Sequence, residues 1–263
     1  MRSVRPPPVG VAPNKMLWTG DLVMFELSQR TVTPDGDARI GDLLPVLRAR
    51  DYDTAIKNVL AAGGTLTEEP PGKPRFARFT DPAGYPVAIT EPPASSPLRT
   101  DKAADEIWRA GGITLPDIPK FGPAVQDMAS VILRVADPVA MAAFYSNALD
   151  LEKVGPATAN GAVLDLGRTT TLVLRPNGVR RPAPKDRAEI PDVWILRVRS
   201  IDAMQTRLQA HNVTIVNQMT ISGGKLIYAL DPEGHLFGVQ QRSPDLVPAG
   251  MKERVEDALA RTL

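Results

Sequence analysis

The chain has 263 residues, 43% of them hydrophobic, with 31 Lys and Arg against 30 Asp and Glu and a formal charge of +1. So even a balance supplies no broad field to draw in nucleic acid or an anionic membrane, and no apolar run reaches the roughly 18 residues that a spanning helix needs. The lack of cysteine excludes disulfides, thiolate nucleophiles and Cys-ligated zinc, and leaves His211 and His235 as the only imidazoles for metal or proton work. The first eight residues, MRSVRPPP, carry charge but no apolar core of a secretory signal, so a cytoplasmic location is expected.

In chain order, two short strands are expected over residues 15–19 and 22–28. A full module of strand, helix and three strands follows over 41–91; its helix carries Ile56, Val59 and Leu60 on one face and stops at Gly63-Gly64. Residues 91–97 read as a Pro-rich linker, 101–110 as a short helix, and the stretch to 123 as Pro-rich connection. A second module spans 127–176, its helix marked by Met141, Phe144, Tyr145, Ala148 and Leu149 at i, i+3, i+4, i+7, i+8 spacing. After a polar, Pro-containing connector over 180–191, a third module spans 192–242. A terminal helix with Val255, Ala258 and Leu259 on one face closes the chain.

The modules repeat one another. Leu47-Arg48-Ala49-Arg50, Leu133-Arg134-Val135-Ala136 and Leu196-Arg197-Val198-Arg199 each end an apolar strand and lead into a helix. Phe79-Thr80-Asp81-Pro82-Ala83-Gly84-Tyr85 matches Ala229-Leu230-Asp231-Pro232-Glu233-Gly234-His235, and each pattern suits a tight turn between strands. From Arg to Asp-Pro is 33 residues in one copy (48 to 81) and 34 in the other (197 to 231). Agreement in both end motifs and in spacing establishes the repeat.

Ser130-Val131-Ile132-Leu133-Arg134-Val135-Ala136-Asp137, followed by Phe144-Tyr145 and Ala148-Leu149-Asp150-Leu151, resembles the opening of a vicinal oxygen chelate module. Asp231-Pro232-Glu233-Gly234-His235-Leu236-Phe237-Gly238-Val239 resembles that superfamily's closing hairpin. The superfamily includes glyoxalase I, bleomycin resistance proteins and extradiol dioxygenases. The resemblance covers about 15–91 and 127–242. It implies an α+β fold of tandem βαβββ modules, paired into curled mixed-sheet half-barrels around a cavity. On that basis four segments are expected: an N-terminal domain over 1–92 with its first module incomplete, a linker over 93–123, a complete C-terminal pair over 124–243, and a tail helix over 244–263. The incomplete module, lacking an opening strand and helix, would be truncated or completed by another chain, and its open strand edge suggests a homodimer.

Members that use a metal hold it from the first and last strands of a module. On the resembling register those positions are Leu44, Ser130 and Val193 on first strands, and Ala88 and Gly238 on last strands. None is a usual ligand, so no metal and no cofactor are expected. Glu26 resembles a family Glu-Leu position, but its partners would be Leu44 and an absent strand; a strand glutamate facing solvent or an interface is the simpler reading. His235 reads as an exposed turn residue. His211 reads as a helix C-terminal residue beside the carbonyl dipoles.

If those positions face the cavity, alternation along the strands brings Ser130 and Arg134, Val193 and Arg197, and Gly238 and Gln240 to it as a ligand-binding set. Two arginines in an apolar cavity suit a carboxylate or oxygen-rich ligand. Recurrence of Arg in all three copies equally suits a structural salt bridge at a barrel end. The leading expectation is a small-molecule-binding protein with a metal-free cavity, of the antibiotic-sequestering or ligand-sensing kind. The alternatives are a metal-dependent lyase, isomerase or dioxygenase of the same superfamily, and a degenerate structural or partner-binding member. The expected partner is a small molecule, with neither nucleic acid nor membrane involved.

Overall fold

The computed structural model describes residues 15–18, 23–27, 42–82, 84–91, 125–166, 170–180, 192–198, 200–221 and 224–242. The expected helices over 101–110 and around Val255, Ala258 and Leu259 lie outside these residues.

Strands β1 (Lys15–Trp18) and β2 (Val23–Leu27) form an antiparallel hairpin. The first full module is β3 (Leu43–Ala49), α1 (Tyr52–Ala61), β4 (Thr65–Glu68), β5 (Phe76–Thr80) and β6 (Pro86–Thr90). The second is β7 (Val125–Arg134), α2 (Pro138–Leu149), β8 (Ala162–Asp165) and β9 (Thr171–Arg175). Its strand after the helix is reduced to a single bridge, Lys153 to Leu164. The third is β10 (Asp192–Arg197), α3 (Ile201–Ala210), β11 (Thr214–Ile221), β12 (Gly224–Leu230) and β13 (Leu236–Arg242).

Each helix starts where a short polar side chain can satisfy otherwise orphaned amides. Asp51 accepts from the Thr54 amide at 3.0 Å, Asp137 from Val139 and Ala140 at 3.0 Å, and Ser200 from Ala203 at 3.2 Å. The repeated Asp-Pro-x-Gly segments are turns: Gly84 N donates to Asp81 O at 2.9 Å and Gly234 N to Asp231 O at 3.0 Å. Both glycines sit at φ near +90°, where a Cβ is unfavourable.

Each module closes its helical crossover by pairing its first strand in parallel with its last: β3 with β6, β7 with β9, β10 with β13. The modules then join edge to edge. β3 runs antiparallel to β7, giving a seven-stranded sheet in the order β4-β5-β6-β3-β7-β9-β8. β2 runs antiparallel to β10, giving a six-stranded sheet in the order β1-β2-β10-β13-β12-β11. The fold is thus α+β with open mixed sheets, as expected, but its pairing is not the expected one. Residues 127–176 do not form one sheet with 192–242; they pair with 41–91 instead. The half-module at 15–27 finds its partner, β10, within the same chain, which removes from β2 the open edge behind the homodimer expectation.

Alternation sorts the side chains. On β3, Leu43 and Ala49 face the helices while Leu44 and Val46 face away; on β10, Trp194 and Leu196 face the helices while Val193 and Ile195 face away. One buried cluster takes in helix-side residues of both sheets together with α2 and α3, including Val131, Leu133, Tyr145, Trp194, Leu208 and Phe237. Tyr145 meets Trp194 edge-on at 5.8 Å, and Trp194 stacks on Phe237 at 5.9 Å. The order of layers is therefore sheet, helices, sheet, and the two outer faces point in opposite directions.

Candidate functional site

The outer face of the seven-stranded sheet carries a cleft of about 360 Å³. Glu68 on β4 and Arg175 on β9 both line it, although five strand spacings of about 4.8 Å would set them about 24 Å apart on a flat sheet. The sheet must therefore curl around the cleft. Its floor is apolar: Leu44 and Ile132, which are Cα partners across β3 and β7, with Phe76 beside them. One wall is Glu68 and Arg78, Cα partners on β4 and β5; the other is Arg134 and Arg175, Cα partners on β7 and β9. Asp42, Asn160, Pro176 and Asn177 complete the rim. Among the described residues, the guanidinium groups of Arg78, Arg134 and Arg175 make no hydrogen bond or ion pair.

The backbone under the second wall is tightly held. Arg134 N donates to Asp42 O at 2.8 Å, Val135 N to Arg175 O at 2.8 Å, and Gly178 N to Val135 O at 3.1 Å. A Cβ on Gly178 would lie 2.4 Å from the carbonyl carbon and oxygen of Arg134, so only glycine lets the β9 exit lie against β7.

The strand faces of the expected binding residues hold, but the set divides. Val46 and Ser130 are Cα partners, which puts Ser130 on the cleft side of β7 with Ile132 and Arg134; Arg134 reaches the cleft lining and Ser130 does not. Val193, Gly238 and Gln240 belong to the other sheet, as does the strand position of Arg197, whose Cα partner is Gln240. Their outer face is a separate apolar cluster of Val193, Ile195, Leu226, Tyr228, Leu230 and Leu236. The expected single pocket is therefore not formed, because the helix layer separates the two faces. Reading single strands missed Arg78 and Arg175. A signal for the latter was present: Leu172-Val173-Leu174-Arg175 repeats the apolar-run-then-Arg signature.

The superfamily's metal positions do not offer a donor set. Leu44 and Ala88 pack with Val46, Phe76, Ala129 and Ile132. Val193 is fully buried in the opposite apolar cluster, and a Cβ on Gly238 would press against the Ile195 side chain at 2.8 Å. Ser130 would be the sole oxygen donor among these positions, and the described residues hold no group of three His, Asp or Glu suited to an ion. The Glu26 side chain lies outside the described residues; its Cα partner is Val193.

Beside the cleft, a buried polar network ties the two sheets. Asp231, in the β12–β13 turn, accepts from the Tyr145 hydroxyl at 2.7 Å and pairs with His235 Nδ1 at 2.8 Å. Glu233, 1% exposed, accepts from the amides of Ala136 and Asp137 at 2.6 and 2.9 Å, at the N-terminus of α2. Contrary to the expectation of an exposed turn residue, the His235 side chain is only 8% exposed, because the turn docks onto the second module. Burial works to lower its pKa, but the hydrogen bond to Asp231 and the charges of Asp231, Asp42 and Glu233 leave it raised. Burial and the Asp231 carboxylate hold the Tyr145 hydroxyl well above its ordinary value, so it stays a donor. His211 is the exposed C-cap of α3, as expected.

Residues 127–239 match the profile of the glyoxalase/bleomycin resistance protein/dioxygenase superfamily. No curated protein sequence matches the chain. Among solved structures, a provisionally named dioxygenase from Bacillus subtilis subsp. subtilis str. 168 aligns over 89% of this chain and 77% of its own, at TM-score 0.54 and 12% identity, which is a likeness of fold. A lactoylglutathione lyase from Agrobacterium tumefaciens aligns over 43% of this chain and 90% of its own at TM-score 0.34 and 19% identity. The fosfomycin resistance protein FosX from Listeria monocytogenes aligns over 44% and 92% at TM-score 0.35 and 18% identity. Among the described residues, no helix is long and apolar enough to cross a membrane.

Proposed function

We propose that this chain binds a small organic molecule in the curled face of the seven-stranded sheet, without a metal ion to hold it, as an antibiotic-sequestering or ligand-sensing member of its superfamily. One observation carries this reading: three arginines without described partners surround an apolar floor in a cleft of about 360 Å³. An apolar base with a few convergent polar groups is the usual composition of a small-molecule site, and the volume falls at the small end of the usual range of about 300–1,000 Å³. A purely structural role for the arginines would give each a carboxylate partner, and the described residues supply none. The metal-free part of the reading rests on the donor set, since Leu44 and Ala88 cannot ligate.

The test is a melting-temperature screen of small organic compounds, run with EDTA and again with added Mn²⁺ or Zn²⁺. Compounds that bind should raise the melting temperature equally in both conditions, and Arg134→Ala should abolish the rise. Stabilisation that requires the divalent ion would overturn the metal-free reading in favour of a metal-dependent lyase, isomerase or dioxygenase. Stabilisation by no compound would leave the structural, partner-binding reading.

A further inference from the structure

We propose that the ligand of this cleft is an organic acid whose single oxyanion lies between Arg134 and Arg175, with its carbon body over Leu44, Ile132 and Phe76. This rests on the reading of the cleft as a small-molecule site and goes on to name the chemistry that the site selects.

The argument starts from register. Arg134 and Arg175 are Cα partners in a parallel strand pair, so their side chains leave the same face of the sheet about 4.8 Å apart. Both line the cleft. Like charges directly opposite one another destabilise a sheet, and long cationic side chains ordinarily relieve this by finding carboxylates. Neither guanidinium does so among the described residues. Nor can the two strands slide apart to separate them, because the Val135–Arg175 and Gly178–Val135 hydrogen bonds and the Gly178 contact lock the ends of β7 and β9 together. The result is a rigid backbone presenting two adjacent planar donor forks, the arrangement that best matches a carboxylate or a related oxyanion.

The rest of the cleft limits the charge and shape of the guest. Arg78, Arg134 and Arg175 against Asp42 and Glu68 leave an excess of one positive charge (3 − 2 = +1) in the lining. Glu68 stands opposite Arg78 in the β4–β5 register, so the excess falls at the Arg134–Arg175 wall. Asn160 and Asn177 sit at the rim, and their amide groups have no described partner. They can donate to an anion's outer oxygens without adding charge. Between the walls, Leu44, Ile132 and Phe76 offer no polar atom. A monoanion with a compact apolar body therefore fits, whereas a polyanion would face Glu68 and Asp42 and a neutral polar compound would leave both arginines uncompensated.

The experiment titrates the intact protein with benzoate, phenylphosphonate and benzamide, and reads dissociation constants from NMR chemical shifts. Benzoate or phenylphosphonate should bind at least tenfold more tightly than benzamide, the neutral isostere of benzoate; the tighter of the two anions identifies the headgroup. Arg134→Gln and Arg175→Gln should each weaken that anion at least tenfold, while Arg180→Gln, outside the cleft, leaves it unchanged. Unliganded Arg175→Gln should melt no lower than the native protein, since it removes one of two opposed charges. That separates a lost contact from a failed fold. Equal affinity for benzoate and benzamide, or anion binding within twofold of native in both arginine variants, would overturn the oxyanion assignment while leaving the cleft a binding site. Failure of all three probes to bind would overturn both readings.

Discussion

The Tyr145 hydroxyl on α2 donates to Oδ2 of Asp231 at 2.7 Å, across 86 residues of chain, and both groups are buried. Asp231 belongs to the β12–β13 turn of the six-stranded sheet, whereas α2 packs on β8 and β9 of the seven-stranded sheet. This one contact therefore spans the two sheets. Removing the hydroxyl leaves a buried carboxylate short of a donor while keeping the aromatic packing against Trp194. Tyr145→Phe should cost about 1.5–3 kcal/mol, the usual worth of a hydrogen bond to a charged group. Urea denaturation would show it as a lower midpoint with an unchanged slope; a change under about 0.5 kcal/mol, the scatter of ordinary surface substitutions, would argue against this bond as a tie between the sheets.

His235 should make the same junction pH-dependent. Its pKa in the fold is raised from 6.5, through a balance of burial against Asp231, Asp42 and Glu233, with the Tyr145 hydroxyl on the same carboxylate. A basic group with a raised folded-state pKa binds its proton more tightly folded than unfolded. Its stabilisation is full below pH 6.5 and lost as the pH rises through the folded-state value. The stability difference between native protein and His235→Gln should thus be larger at pH 5.5 than at pH 8.5. A difference that stays constant, or grows with pH, would contradict this.

Two glycines should fail for different reasons. Gly84 has φ +92° and open space around its would-be Cβ, so Gly84→Ala should cost only the left-handed backbone penalty of about 1–2 kcal/mol. Gly178→Ala drives a methyl into the Arg134 carbonyl, which should cost about 1–3 kcal/mol and also displace the Arg134–Arg175 wall. Denaturant melts would give both costs, and only Gly178→Ala should also weaken benzoate. Equal binding in both variants would dissociate the β9 exit from the cleft.

Arg134 and Arg197 end equivalent strands, but on β7 and β10 of different sheets. Arg197→Ala should leave ligand affinity of the cleft within twofold of native, whereas Arg134→Ala should weaken it by about 1.5–3 kcal/mol. Calorimetric titration of both variants checks this, and matched losses would restore a single shared pocket.

Because Leu44, Ala88, Val193 and Gly238 carry no ligating side-chain atom, purified protein should hold far less than one equivalent of Fe, Zn, Ni or Mn. EDTA should leave the melting temperature unchanged. Stoichiometric metal, lost to chelator together with stability, would refute the donor argument.

Local and periodic information was enough to establish much of this protein. The Leu-Arg and Asp-Pro-x-Gly signatures mark the module ends, and strand alternation places Leu44, Ser130 and Val193 on faces away from the helices, since a period of two is a property of the backbone itself. Which module pairs with which is another matter. Each first strand offers the same amide and carbonyl edge and the same apolar alternation, so β7 could be read as the partner of β10 as readily as of β3. That choice depends on which edges meet once α2 and α3 pack together, around Tyr145, Trp194 and Phe237. Only the tertiary structure decided it, and with it the company of Arg134: Arg175 and Arg78, not Arg197. His235 followed the same logic. As a turn residue it would be wet, and it is dry because Glu233 docks the turn on α2. A side chain's burial and partners are set by contacts distant in sequence, which no local pattern encodes.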